Sequence, residues 1–220
     1  MKNLRWGFVV GVIAAAWSGG CTSKTEKASV PSLPYYHTAD FTPHWFSSSE
    51  GLDTLHHLQT FRFRNQNNKW ISSDTLRGKI HVANFFFTSC PSLCPRLTQS
   101  MKEVQQAFRN DANVTLMSFS VLPEHDSVQV LRAYATQHQV SDAQWNLLTG
   151  DRKSIYETAR KSYFADENLG VQKGENDFLH TENFILVDKN LRIRGIYNGT
   201  LPLEIKQLIE DVKVLEAEGE

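Results

Sequence analysis

Apolar positions along the chain fall into strand-like runs and helix-like repeats, and the two meet at one short turn. Residues 80–87, Ile-His-Val-Ala-Asn-Phe-Phe-Phe, form a nearly continuous apolar run that polar Thr88 and Ser89 close. Aromatic and β-branched content over that length predicts a buried strand. Beyond Pro95, apolar side chains recur at Leu97, Met101, Val104 and Phe108, which predicts a helix over 95–109. Between them lie Cys90-Pro91 and Cys94-Pro95. Proline lacks an N–H and restrains its predecessor, so Pro95 is expected as the first helical residue, with Cys94 near the N-cap.

The flanking patterns extend this unit. Upstream, Phe61-Arg62-Phe63-Arg64 alternates like a strand, 65–69 reads as a turn, and Trp70-Ile71 begins the return of a hairpin. Downstream, 114–121 alternates as a strand, and 128–138 carries Leu131, Tyr134 and Ala135 at helical spacing. A short strand over 145–148 leads through Gly150-Asp151 into a helix marked by Ile155, Ala159 and Tyr163. Strands at 184–187 and 193–197 bracket Asp188-Lys189-Asn190, and 203–215 repeats as an amphipathic helix. Strand–helix alternation followed by a hairpin and a last helix predicts an α/β fold with a central mixed sheet.

The first fifty residues differ in kind. Residues 1–20 place Lys2 and Arg5 before an apolar core from Trp6 to Trp17, then Ser18-Gly19-Gly20, and read as an export signal too short to span a bilayer. Cys21 follows directly and looks like the lipid-attachment cysteine of a bacterial lipoprotein, although Ser18 stands where such signals usually have leucine. An uncleaved anchor and ordinary signal cleavage are the alternatives. Residues 21–50 are rich in Ser, Thr, Lys and Pro and read as a tether, with Tyr35, Tyr36, Phe41, Trp45 and Phe46 as an aromatic patch covering the domain. A membrane-surface role is the weaker reading of that patch. His37, His44, His56 and His57 keep no metal-ligand spacing and read as solvated. Residues 51–220, roughly 170 of them, suit one domain with a sizeable core. Lys and Arg number 23 against 24 Asp and Glu, with no basic stripe, which argues against a nucleic-acid partner.

Three cysteines occur, and with Cys21 assigned to the tether a single pair remains in the folded domain. Cys90 and Cys94 can close a disulfide or ligate one soft metal ion. Their place in a strand-to-helix turn puts at least one sulfur where helix-start N–H groups favour a thiolate. A purely structural disulfide would gain little from so short a loop. A closed zinc site would want four ligands, and there is no second cysteine pair.

From about residue 58 onward the chain resembles the Sco (SenC) family, membrane-attached thioredoxin-like copper chaperones of cytochrome c oxidase assembly. The segments that carry the resemblance are Phe61-Arg62-Phe63-Arg64-Asn65-Gln66, Gly78-Lys79, Phe85-Phe86-Phe87-Thr88-Ser89-Cys90-Pro91-Ser92-Leu93-Cys94-Pro95 and Ser120-Val121-Leu122-Pro123-Glu124-His125-Asp126-Ser127. Residues 145–150 and His180-Thr181-Glu182-Asn183-Phe184-Ile185-Leu186-Val187-Asp188 complete it. The resemblance implies a thioredoxin-like fold with an N-terminal β-hairpin extension. It also implies copper bound by Cys90, Cys94 and His180, a redox-active Cys90–Cys94 pair, and delivery to the CuA-type site of an oxidase subunit. The domain would lie on the extracytoplasmic side of the membrane. Thiolates select Cu(I), and a three-donor site stays open to an incoming ligand. His180 alone would read as a surface or capping residue. The family's usual aspartate before Pro123 is Leu122 here. The main rival reading is a thiol-disulfide oxidoreductase; a peroxidase would want a peroxidatic cysteine supported by threonine and arginine, a pattern with no clear match around Cys90, and a sensor or scaffold is the blandest alternative.

Overall fold

The structure is a computed structural model that describes residues 32–46, 50–165 and 181–218. Its strands are β1 (Arg62–Asn65), β2 (Trp70–Ser72), β3 (Ile80–Phe86), β4 (Val114–Ser120), β5 (Trp145–Thr149), β6 (Asn183–Val187) and β7 (Ile193–Asn198). Helices are α1 (Leu93–Ala107), α2 (Val128–His138), α3 (Arg152–Glu157) and α4 (Pro202–Glu218). The strands form one seven-stranded sheet in the order β2-β1-β5-β4-β3-β6-β7.

The apolar run that predicted a buried strand becomes β3, central in the sheet and buried on every residue. Alternation sends Ile80, Val82 and Phe86 into one core cluster and Ala83 and Phe85 into the other. β3 runs parallel to β4 from Ile80↔Val114 to Phe86↔Ser120, and β4 runs parallel to β5. Parallel pairs need crossovers, which α1 and α2 supply on the same face. There Leu97, Met101 and Val104 of α1, Leu131 and Tyr134 of α2, and Ile205, Leu208 and Val212 of α4 close one core. Ile155, Tyr156, Ala159 and Tyr163 close the other. β1 and β2 pair antiparallel, and β1 joins the sheet through β5.

The third helix departs from the expected regular pattern. After α3 the chain widens into a π-helical turn, Thr158–Ser162, with the Tyr163 N–H on the Thr158 carbonyl at 3.2 Å. This setting delivers Tyr163 wholly into the core, against Phe85 and Phe119 and within 3.1 Å of His81 Nε2. At the other edge, a bulge leaves Arg194 as the extra residue of β7. Its guanidinium lies 2.8 Å from Glu218 and 3.5 Å from Asp188, and donates to the Leu33 and Pro34 carbonyls. Tyr35 stacks over it at 4.0 Å, and Tyr36 bridges to Ile193. These contacts hold residues 33–36 along the β7 edge. The expected export signal and Cys21 lie outside the described residues. No helix among the described residues is long and apolar enough to cross a membrane.

Candidate functional site

The parallel arrangement brings the C-terminal ends of β3 and β4 together, and the cysteine turn leaves from that end. α1 starts at Leu93, with Ser92 at the N-cap, two residues earlier than the proline pattern implied. Pro95 therefore occupies the third helical position. It fits there because first-turn N–H groups have no intrahelical acceptor, so proline's missing donor costs nothing. Cys94 consequently sits inside the first turn rather than at its cap.

The Ser92 side chain makes no capping bond. Cys90 takes that part instead, its sulfur accepting the Cys94 N–H at 3.4 Å. Both thiols are free. Their environments differ sharply: Cys94 is buried against the α1 core, whereas Cys90 is partly open. Burial alone would push the Cys90 thiol up, but the N–H groups of Cys94, Ser92 and Leu93 and the Cys94 side chain outweigh it, and Cys90 lies below the ordinary thiol value. Burial pushes Cys94 up to about 12, reinforced by neighbouring Cys90 and Asp126 and opposed by a hydrogen bond from the Phe87 backbone. The result is one partly open sulfur that ionises more easily than an ordinary thiol beside one that holds its proton.

A buried carboxylate fixes the turn from below. Asp126 has no exposed surface and accepts the Thr88 N–H at 3.0 Å, the Thr88 hydroxyl at 2.5 Å and the Ser120 hydroxyl at 2.6 Å. His125 Nδ1 lies 2.9 Å from the same carboxylate. Thr88 precedes Cys90 by two residues and Ser120 ends β4, so Asp126 ties the two strand ends together under the thiols. Leu122 enters this region through its backbone. Its N–H reaches Ser120 Oγ at 3.2 Å, and its carbonyl accepts the Asp126 N–H at 2.9 Å.

Of the expected ligands, the structure brings Cys90 and Cys94 together; His180 lies outside the described residues. Thr181 is buried, and the Glu182 carbonyl accepts the Gly199 N–H at 2.7 Å. Gly199 packs directly on Leu97 of the cysteine helix. Glu182 thus lies beside the loop that packs on α1. Among the described residues no group of three or more His, Cys, Asp or Glu side chains gathers as a metal cluster. His37 and His44 touch as rings 4.5 Å apart without a third donor from that set. In the sequence, Asp126 stands out only as part of a motif. Its role depends on the approach of two strand ends, and the one local signal is its position just before Ser127, the N-cap of α2.

Comparison with known proteins gives this geometry a family. The family model described as SCO1/SenC matches residues 50–216. A SCO1 protein homolog of Bacillus subtilis is 34% identical over 158 residues, covering 71% of this chain and 81% of that protein. The structure of BsSco, a member of the Sco family of cytochrome c oxidase assembly proteins in which a disulfide switch was identified, is similar with a TM-score of 0.63 and 32% identity. It covers 74% of this chain and 94% of that one. ScoI of Bradyrhizobium japonicum with copper bound has a TM-score of 0.57 and 25% identity, covering 72% and 99%. The mixed sheet and its flanking helices agree with these proteins, and the chain belongs to the SCO1/SenC family on a thioredoxin-like α/β fold.

Proposed function

We propose that this protein carries copper to the CuA-type site of a cytochrome c oxidase subunit, holding it on Cys90, Cys94 and His180. The observation that carries the reading is the pair of unblocked thiols at the start of α1, with the Cys90 sulfur accepting the Cys94 N–H. Two soft sulfurs select Cu(I), and an imidazole suits either copper oxidation state. Copper must displace the Cys94 proton, so loading releases acid and weakens as pH falls. Three donors leave the ion open to attack by an incoming ligand, which allows it to be passed on. Copper bound to ScoI, a relative of the same fold and family, supports the choice of metal. Replacing Cys90, Cys94 or His180 with alanine is expected to lower copper affinity in each case. Unchanged affinity in His180→Ala, for Cu(I) and Cu(II) alike, would remove that residue from the site.

The thiol asymmetry favours a second activity on the same residues. Cys90 thiolate attacks one sulfur of a partner disulfide, forming a mixed disulfide and releasing the partner's first thiolate. Cys94 then loses its proton and attacks Cys90, releasing the second thiolate and leaving a Cys90–Cys94 disulfide. The partner gains two electrons and, from solvent, two protons. In this reading the protein reduces oxidase cysteines before copper arrives. Lipid attachment at Cys21 places the domain at an extracytoplasmic membrane surface; labelled fatty acid should appear on the wild type and vanish in Cys21→Ala.

A further inference from the structure

We propose that Trp45 and Phe46 rest in the headgroup region of the phospholipid bilayer and turn the thiol end of the domain away from it, an inference that rests on the lipid attachment at Cys21 proposed above. The aromatic residues of the N-terminal segment divide into two sets. Tyr35, Tyr36 and Phe41 are half-buried against the domain, Tyr35 stacked on Arg194 and Phe41 at 6.4 Å from Phe164. Trp45 and Phe46 remain 63% and 37% exposed. Covering the sheet edge accounts for the first set only. An amphipathic indole beside a phenyl ring suits the boundary between acyl chains and water.

The occupant follows from where the tether joins the domain. Leu33 donates its N–H to Glu218 at 3.0 Å, and its carbonyl accepts from Arg194 at 2.7 Å, so the chain is clamped from that residue on. Tyr35 and His44 exchange backbone hydrogen bonds at 2.8 and 3.0 Å, and the Tyr35 ring meets Phe46 at 5.6 Å. The exposed pair therefore sits beside the root of the tether. Leu33 is twelve positions after Cys21, a stretch that spans at most about 40 Å. With Cys21 in the bilayer, Trp45 and Phe46 belong to the part of the domain that cannot leave the membrane surface. Arg194 is paired with Asp188 and Glu218, so the contact is apolar and needs no anionic lipid.

The thiols lie at the other end of the fold. Tyr36 bridges to Ile193, Ile193 pairs with Val187, and Val187 pairs with His81. That row crosses β3 at its second residue, whereas the cysteine turn leaves beyond Phe86 at its end. α4 spans the same separation. The Thr200 carbonyl, just before its start, accepts from Arg96 of the cysteine helix at 3.3 Å, and Glu218, about 25 Å further along the axis, holds Leu33. A domain seated on Trp45 and Phe46 thus presents Cys90 to the aqueous side.

The test uses the full lipidated chain in phosphatidylcholine vesicles, with and without bromine on the acyl chains near the headgroups. Bromine should remove most of the tryptophan emission that distinguishes the wild type from Trp45→Phe. Emission from Trp70, on β2 at the opposite edge of the sheet, should stay unchanged. Aqueous iodoacetamide should modify Cys90 as fast on vesicles as after release in detergent. Trp45 emission indifferent to bromine, with fatty acid present on Cys21, overturns the proposal and leaves the anchor standing. Absence of fatty acid overturns the lipid reading and this inference with it. Quenched Trp45 with Cys90 shielded on vesicles overturns the outward orientation. Emission that ignores bromine but changes when the oxidase subunit is added assigns the pair to a protein contact and overturns the proposal.

Discussion

His81 makes the fold sensitive to acid in a way that can be worked out from the structure. It lies on β3 with no exposed surface; Nε2 is 3.1 Å from the Tyr163 hydroxyl, and Nδ1 has no hydrogen-bond partner among the described residues. Burial lowers its value from 6.5 to about 3, so the folded protein keeps it neutral. The unfolded chain takes up a proton below about 6.5 and the folded chain does not, so stability falls as pH drops from 6.5 towards 3. At pH 5 this single group removes about 2 kcal/mol, and the full span amounts to about 5 kcal/mol. Against a typical total of about 5–15 kcal/mol, that decides whether the domain survives acid. The perturbation is His81→Phe combined with Tyr163→Phe, which removes the titrating ring and the hydroxyl that would lose its partner. Urea unfolding at pH 7 and pH 5 measures the difference. The wild type should lose about 2 kcal/mol more than the double variant over that interval. Equal losses in the two proteins would refute the buried neutral histidine.

Two predictions concern the site. Iodoacetamide at neutral pH should modify Cys90 far faster than Cys94, read by peptide mass mapping, because Cys90 is the lower and more open thiol; equal labelling would contradict the asymmetry. Asp126→Ala should cost about 2–4 kcal/mol in urea unfolding and speed alkylation of Cys94 as the turn loosens, because it strands the Thr88 N–H and two hydroxyls. Asp126→Asn should recover much of that, since an amide can still accept from the Thr88 N–H and Ser120 while donating towards Thr88 Oγ1 or His125. Wild-type stability in Asp126→Ala would show that the network is dispensable.

Features fixed by nearby residues are legible in the amino-acid pattern itself. The run ending in Phe86 can be little but a buried strand, and α2 spans Val128–His138 as its Leu131, Tyr134 and Ala135 spacing implies. The two thiols announce themselves by position between strand and helix. α1 starts earlier than its prolines suggest, because a helix's first turn has no use for their missing N–H. Asp126, Arg194 and the π-helical turn are illegible for another reason. Asp126 needs β3 and β4 to end side by side, and Arg194 needs a bulge facing the N-terminal segment. The turn at Thr158–Ser162 answers the demand of Tyr163 for the core. Each is decided by tertiary contact rather than by periodicity. His180 carries no local signal and enters only through the resemblance to a family.

Anaerobic titration of the reduced domain, residues from about 50 onward, first with Cu(I) and then with Cu(II), tests whether Cys90, Cys94 and His180 hold copper. Thiolate-to-copper charge-transfer absorption and stoichiometry are followed in the wild type and in His180→Ala. The wild type should bind one equivalent, with proton release on loading, and His180→Ala should bind markedly more weakly. Failure to bind copper, together with rapid exchange against a disulfide substrate, would contradict that assignment and leave a dithiol reductase on the same frame.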